Sequence, residues 1–216
     1  MKISIVYDNT TNRADLTADW GWSCFIETEE RNILFDTGGN GEILLDNMKK
    51  MNIDPLSIHD LVISHPDFDH IGGLSAFLNS NPDAAVHVPF SFRGIKYPNK
   101  VYYHKEPVEI HKGVFLTGEL GREQSLALST PKGLVLIIGC GHPGIKNIID
   151  TISRFGNVYA VIGGLHDFNN FKVLKDATLI CSTHCTKYIE RIKKYYPEKY
   201  IKGGVGKVIE LAGTEE

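Results

Sequence analysis

A chain of 216 residues with 42% hydrophobic content is long enough to bury a core without disulfides, and it fits one domain spanning residues 1–216. Its net charge of −3 argues against a nucleic-acid backbone as partner, and no apolar stretch approaches the ~20 residues of a membrane span. Four cysteines and no export signal point to free thiols in a reducing compartment, so the protein is expected in the cytoplasm.

Lys2–Tyr7 alternates and reads as a strand, followed by a polar loop to Asp19. Trp20 and Trp22 flank Gly21; the pair either walls a substrate cleft or packs against a sheet edge. Cys24–Glu27 and Asn32–Phe35 read as a hairpin that runs into the tight turn Asp36-Thr37-Gly38-Gly39. Asp36 reads as an acceptor that bonds backbone or a ligand imidazole, not as a metal ligand itself. Glu42–Met51 has helical apolar spacing, and Asp54-Pro55 opens a short helix. Leu61–Ser64 is the central strand, and Gly72–Leu78 is the helix after it.

Between them lies His65-Pro66-Asp67-Phe68-Asp69-His70, followed by Ile71-Gly72-Gly73. Two imidazoles and two carboxylates within six residues would repel or desolvate one another unless a cation sat between them. Gly72 and Gly73 read as positions where the backbone comes close to a substrate, at a helix start that favours an anion.

The second half repeats a rhythm without repeating a sequence. Ala85–Val88 is a strand, Phe90–Asn99 a loop, and Val101–Ile110 and Val114–Thr117 strands again, separated by Pro and Gly. Gln124–Ser129 and Leu134–Ile138 pair, and the turn Gly139-Cys140-Gly141-His142-Pro143-Gly144 leads into a helix over Ile145–Phe155. Val158–Ile162 runs out into His166, and Thr178–Cys181 into His184 and Cys185. A helix over Thr186–Tyr196 and a strand over Val205–Leu211 close the chain. The pattern predicts an α/β fold of four layers, helix–sheet–sheet–helix (αββα).

His-x-Asp-x-Asp-His resembles the H-x-H-x-D-H motif of the metallo-beta-lactamase superfamily, with Asp67 in place of the second histidine. The strand before Asp36-Thr37-Gly38 is similar to the segment preceding the metal loop there. Gly139–Ile145, Ile162–His166 and Thr183–Thr186 resemble the dihydropterin–ribofuranosylaminobenzene phosphate synthase-like branch. The resemblance covers nearly the whole chain.

It implies one or two divalent metal ions, zinc first, with manganese or iron as alternatives. Carried over by position, His65 and Asp67 serve one ion and Asp69 and His70 a second, with His142 and His184, or His166, added from the second half. Where many members have a histidine ligand in a later loop, this chain has Glu119. The implied function is that of a metallo-hydrolase acting through metal-activated water on an anionic ester or phosphoester. Asp69 is the catalytic acid–base residue and a phosphorylated pterin-type compound the candidate substrate. The branch itself implies a condensation. A di-iron or di-manganese redox protein and a non-catalytic metal or nucleotide sensor are the alternatives. All readings require donors near 65–70 to meet those near 142 and 184.

Overall fold

The computed structural model describes residues 1–95 and 100–211. In chain order the elements are β1 (Lys2–Tyr7), β2 (Ser23–Glu27), β3 (Asn32–Phe35), α1 (Gly41–Lys50), β4 (Asp60–Val62), α2 (Phe68–Ile71), α3 (Leu74–Ser80), β5 (Ala85–Pro89) and β6 (Val101–His104). Then come β7 (Val108–His111), β8 (Val114–Leu116), β9 (Leu126–Thr130), β10 (Gly133–Ile138), α4 (Ile145–Ile152), β11 (Val158–Gly164), β12 (Leu179–Thr183), α5 (Ile189–Tyr195) and β13 (Val208–Glu210). The class is the expected mixed α/β with two sheets. The contacts divide the chain into two compact units, residues 1–103 with 203 onward, and residues 104–202. No helix among the described residues is long and apolar enough to cross a membrane.

The first unit is built on a sheet in the order β13-β1-β2-β3-β4-β5-β6. β2 runs antiparallel to both β1 and β3, whereas β3, β4 and β5 are parallel. Parallel pairing places the carboxyl ends of β3 and β4 side by side, which positions the first group of polar residues described below. Leu44 and Met48 of α1 and Phe77 and Leu78 of α3 are buried against Val6, Leu34, Leu61 and Val86 of the sheet. α1 starts where it does because Asn40 caps it, its Oδ1 accepting from Glu42 N–H at 2.9 Å. Within α1 the buried Asn47 donates to Val6 O and Thr17 O, tying the polar loop after β1 to the helix.

The second unit is a sheet in the order β12-β11-β10-β9-β8-β7, with β10, β11 and β12 parallel. Ile145, Ile148 and Ile152 of α4 pack with Leu136, Ile138 and Ile180, and each such burial is worth about 1.5–3 kcal/mol.

Three expectations are corrected. Val101–Ile110 is not one strand: the chain breaks at Lys105-Glu106-Pro107, so β6 joins the first sheet and β7 the second. Proline lacks the N–H a ladder needs. The strand expected over Leu61–Ser64 ends at Val62, because Ser64 N–H turns to the Asp36 carboxylate. The helix expected over Gly72–Leu78 starts two residues later, as α3, and a short helix that was not expected, α2, forms before it inside the polar string itself. The loop expected over Phe90–Asn99 has its residues 96–99 outside the described residues.

Candidate functional site

In the first unit, Phe35 of β3 lies opposite Val62 of β4, so Asp36 and Ser64 leave the sheet together. Asp36 takes a left-handed backbone, φ 57°, and its N–H donates to Val62 O at 2.8 Å. Such strain costs about 1–3 kcal/mol and persists where surrounding contacts over-determine it. Here they do. The buried Asp36 carboxylate accepts from Ser64 N–H at Oδ1, 2.7 Å, and from the Ser64 hydroxyl at Oδ2, 2.6 Å. His70 Nδ1 lies 2.7 Å from the same Oδ2.

These contacts set two tautomers. A carboxylate only accepts, so His70 carries its proton on Nδ1. The one Ser64 hydroxyl proton is committed to Asp36, so at 2.8 Å the Ser64 oxygen accepts from His65 Nδ1. In its neutral form each imidazole then keeps its lone pair on Nε2, the form a metal takes up. Their ring centroids are 4.1 Å apart. Asp67 occupies the N-cap of α2 yet makes no side-chain capping bond; its Oδ2 lies 3.4 Å from His65 Nε2 instead. Imidazole nitrogens and carboxylate oxygens are the donor types that suit a divalent cation.

The backbone of this segment is held in place. Asp69 O accepts from Trp22 N–H at 3.1 Å, and His70 O accepts from both the N–H and the hydroxyl of Thr37, at 2.8 and 2.9 Å. Gly72 and Gly73 serve the same packing, which corrects their reading as substrate-cleft positions. A Cβ on Gly72 would run into the carbonyl oxygen of Gly39, and one on Gly73 into that of Thr37, so their missing side chains admit the protein's own backbone. Of the two readings of the tryptophans, packing holds for Trp22, which is fully buried, whereas Trp20 is 59% exposed. Phe68, 74% exposed, stands between Asp67 and Asp69.

In the second unit the parallel strands β10, β11 and β12 deliver three turns at one sheet end. Gly164 N–H donates to Gly139 O at 3.2 Å, and Leu165 N–H to the Thr186 hydroxyl at 2.9 Å, so the turns carrying His142, His166 and His184 are tied together. The rings of His142 and His166 are 5.1 Å apart. His166 and His184 also take left-handed backbone, φ 46° and 50°. His184 is buried, while His142 and His166 are partly open to solvent. Cys185 lies in this cluster, its Sγ 3.8 Å from Cys140 O. Its thiol is pulled below the ordinary value, first by a hydrogen bond from the Cys140 side chain and then, against burial, by the neighbouring His184 charge.

The loop of Glu119 enters differently from the expectation. Glu119 N–H donates to His104 O and Lys105 O, shaping a turn. The acid that reaches the histidine turn is Glu123, four positions on and fully buried. Oε1 accepts from Cys140 N–H at 3.1 Å and Gly141 N–H at 2.8 Å, and Oε2 accepts from His142 N–H at 2.9 Å. The carboxylate that reaches the glycine-rich turn beside His142 is thus the protein's own, that of Glu123. Locally Glu123 reads as a solvated acid beside Arg122, and no spacing in the sequence links it to residue 142.

Residues 17–145 match the family model of the metallo-beta-lactamase superfamily. The chain is 29% identical to the 7,8-dihydropterin-6-methyl-4-(beta-D-ribofuranosyl)-aminobenzene-5'-phosphate synthase of Methanocaldococcus jannaschii, covering 88% of this chain and 90% of that protein. Among solved structures it is similar to Tm1679, a metal-dependent hydrolase of the beta-lactamase superfamily, with a TM-score of 0.77, 23% identity and coverage of 98% and 99% of the two chains. The metallo-beta-lactamase fold protein YhfI from Bacillus subtilis matches with a TM-score of 0.71 at 11% identity, over 97% of this chain and 98% of that one. At these identities the two structures speak to the fold alone.

Proposed function

The chain belongs to the metallo-beta-lactamase superfamily, and from this premise we propose that it is a metal-dependent hydrolase of a small anionic ester or phosphoester. The observation that carries the reading is the Asp36 network, which puts the ring proton of both His65 and His70 on Nδ1 and turns Nε2 toward the ligand role, with Asp67 beside His65. The proposed ligands are His65, Asp67, Asp69 and His70 in the first unit and His142 and His184 in the second. A divalent ion held by such donors supplies Lewis acidity, polarising a substrate oxygen and lowering the pKa of water toward ~7.

The chain's own groups do the rest. Asp69 orients the attacking oxygen and passes its proton to the leaving group. His166, partly open beside His142, is the residue proposed to touch substrate or metal. Glu119 has its backbone engaged and is the weaker candidate for that role. The exposed rings of Trp20 and Phe68 suit a flat ring system, which favours a second reading: a condensation on a phosphorylated pterin-type compound, the compound class in the name of the Methanocaldococcus jannaschii synthase. Four free cysteines suit a reducing compartment such as the cytoplasm, and the net charge of −3 suits a small substrate over a nucleic acid.

Metal analysis of protein purified without added metal, with assay on a chromogenic phosphodiester, tests this. One or two equivalents of zinc or manganese with ester cleavage is the expected result. Metal without cleavage moves the reading to the condensation, and iron with a visible absorption band moves it to redox chemistry. Well-folded protein that holds no metal overturns it.

Asp67 separates the metals. A carboxylate brings a negative charge where an imidazole is neutral, which favours harder ions such as manganese or iron. Asp67→His is therefore expected to raise the zinc share of bound metal, read by elemental analysis after growth with mixed metals. An unchanged share would count against the charge argument.

A further inference from the structure

We propose that Glu123 is the positioning residue for His142, fixing which ring nitrogen the histidine offers to a ligand. The inference deepens the reading of His142 as a metal ligand and rests on it only for the metal-binding arm of the test below.

Three consecutive N–H groups, those of Cys140, Gly141 and His142, converge on the Glu123 carboxylate at 3.1, 2.8 and 2.9 Å. Consecutive amides turned inward form a concave anion site. The turn has this shape because Gly141 adopts φ 79°, a conformation costly for any residue with a Cβ. The anion filling the site is the protein's own, and Glu123 is buried, so a solvent anion does not replace it. The carboxylate is thereby immobilised before it meets the imidazole.

Its Oε2, which accepts the His142 amide, also lies 3.0 Å from His142 Nδ1. An oxygen that only accepts requires the proton on Nδ1, which leaves Nε2 bare. The arrangement parallels Asp36 and His70 in the first unit: a buried carboxylate, fixed by other donors, dictates an imidazole tautomer. Nothing in the Glu123 contacts requires a metal, so the tautomer is set in the free protein.

Glu123→Gln keeps the shape and changes the donors. Its amide oxygen is best used on Cys140 and Gly141 N–H, which turns the NH2 toward His142. Nδ1 then becomes an acceptor, and the proton moves to Nε2, the nitrogen a metal needs bare.

The test is a nitrogen-15 imidazole correlation spectrum of the metal-free protein, with zinc affinity measured separately by chelator competition. In the wild type His142 is expected as the Nδ1–H tautomer; in Glu123→Gln it is expected to shift toward Nε2–H, with zinc bound about 10–100-fold more weakly. A wild-type His142 in the Nε2–H form overturns the proposal even if the variant fails to fold. A folded variant with an unchanged tautomer also overturns it. A shifted tautomer with unchanged zinc affinity sustains Glu123 as the positioning residue and removes His142 from the ligand set.

Discussion

Asp36→Asn is expected to weaken metal binding by about 10–100-fold while the fold persists. Asparagine tolerates the left-handed backbone that Asp36 adopts at φ 57°, so the turn itself is not strained by the change. The chemistry of the side chain does change. Asp36 accepts from the N–H and the hydroxyl of Ser64 and from His70 Nδ1. An amide has one oxygen for these three donors, and its NH2 must face the rest. If it faces His70, the ring proton moves from Nδ1 to Nε2. If it faces the Ser64 hydroxyl, that hydroxyl turns to donate to His65 Nδ1, 2.8 Å away, and the proton of that ring moves to Nε2. Either way one bare Nε2 is lost. Chelator competition measures the affinity and circular dichroism checks the fold. Wild-type affinity in a folded variant would show that the Asp36 network does not prepare these imidazoles for a cation.

Asp69→Ala is expected to lower turnover at least ~100-fold, the contribution usual for a positioned acid–base group. The expectation is specific to activity. The backbone of residue 69 is held through its carbonyl by Trp22 N–H at 3.1 Å, and His70 O is held by Thr37, so truncating the side chain leaves the segment anchored. The kcat/KM on a chromogenic phosphodiester, compared at matched metal loading, separates loss of proton transfer from loss of metal. Activity within a few-fold of wild type would remove Asp69 from the proposed mechanism.

Local pattern carried much of the architecture. β1 was legible to the residue, and β2, β3, β10, α1 and the Asp54-capped turn to within one or two positions, because side-chain alternation and helix caps are properties of adjacent residues. The three strands that run out into His142, His166 and His184 were legible for the same reason, as was the concentration of donors in residues 65–70.

What the tertiary structure alone decided were partners distant along the chain. Asp36 and His70 are 34 positions apart, and Glu123 and Gly141 are 18 apart. No periodicity encodes such a pairing; parallel strand register and the path of the turns do. The same holds for Gly72 and Gly73, whose reason is the carbonyls of Gly39 and Thr37, and for Trp22, whose burial depends on what packs over it. The sequence by itself determined which atoms are able to bind a cation. Only the folded chain decided which nitrogen of each ring is left to do so, because a histidine's tautomer is set by what touches its other nitrogen.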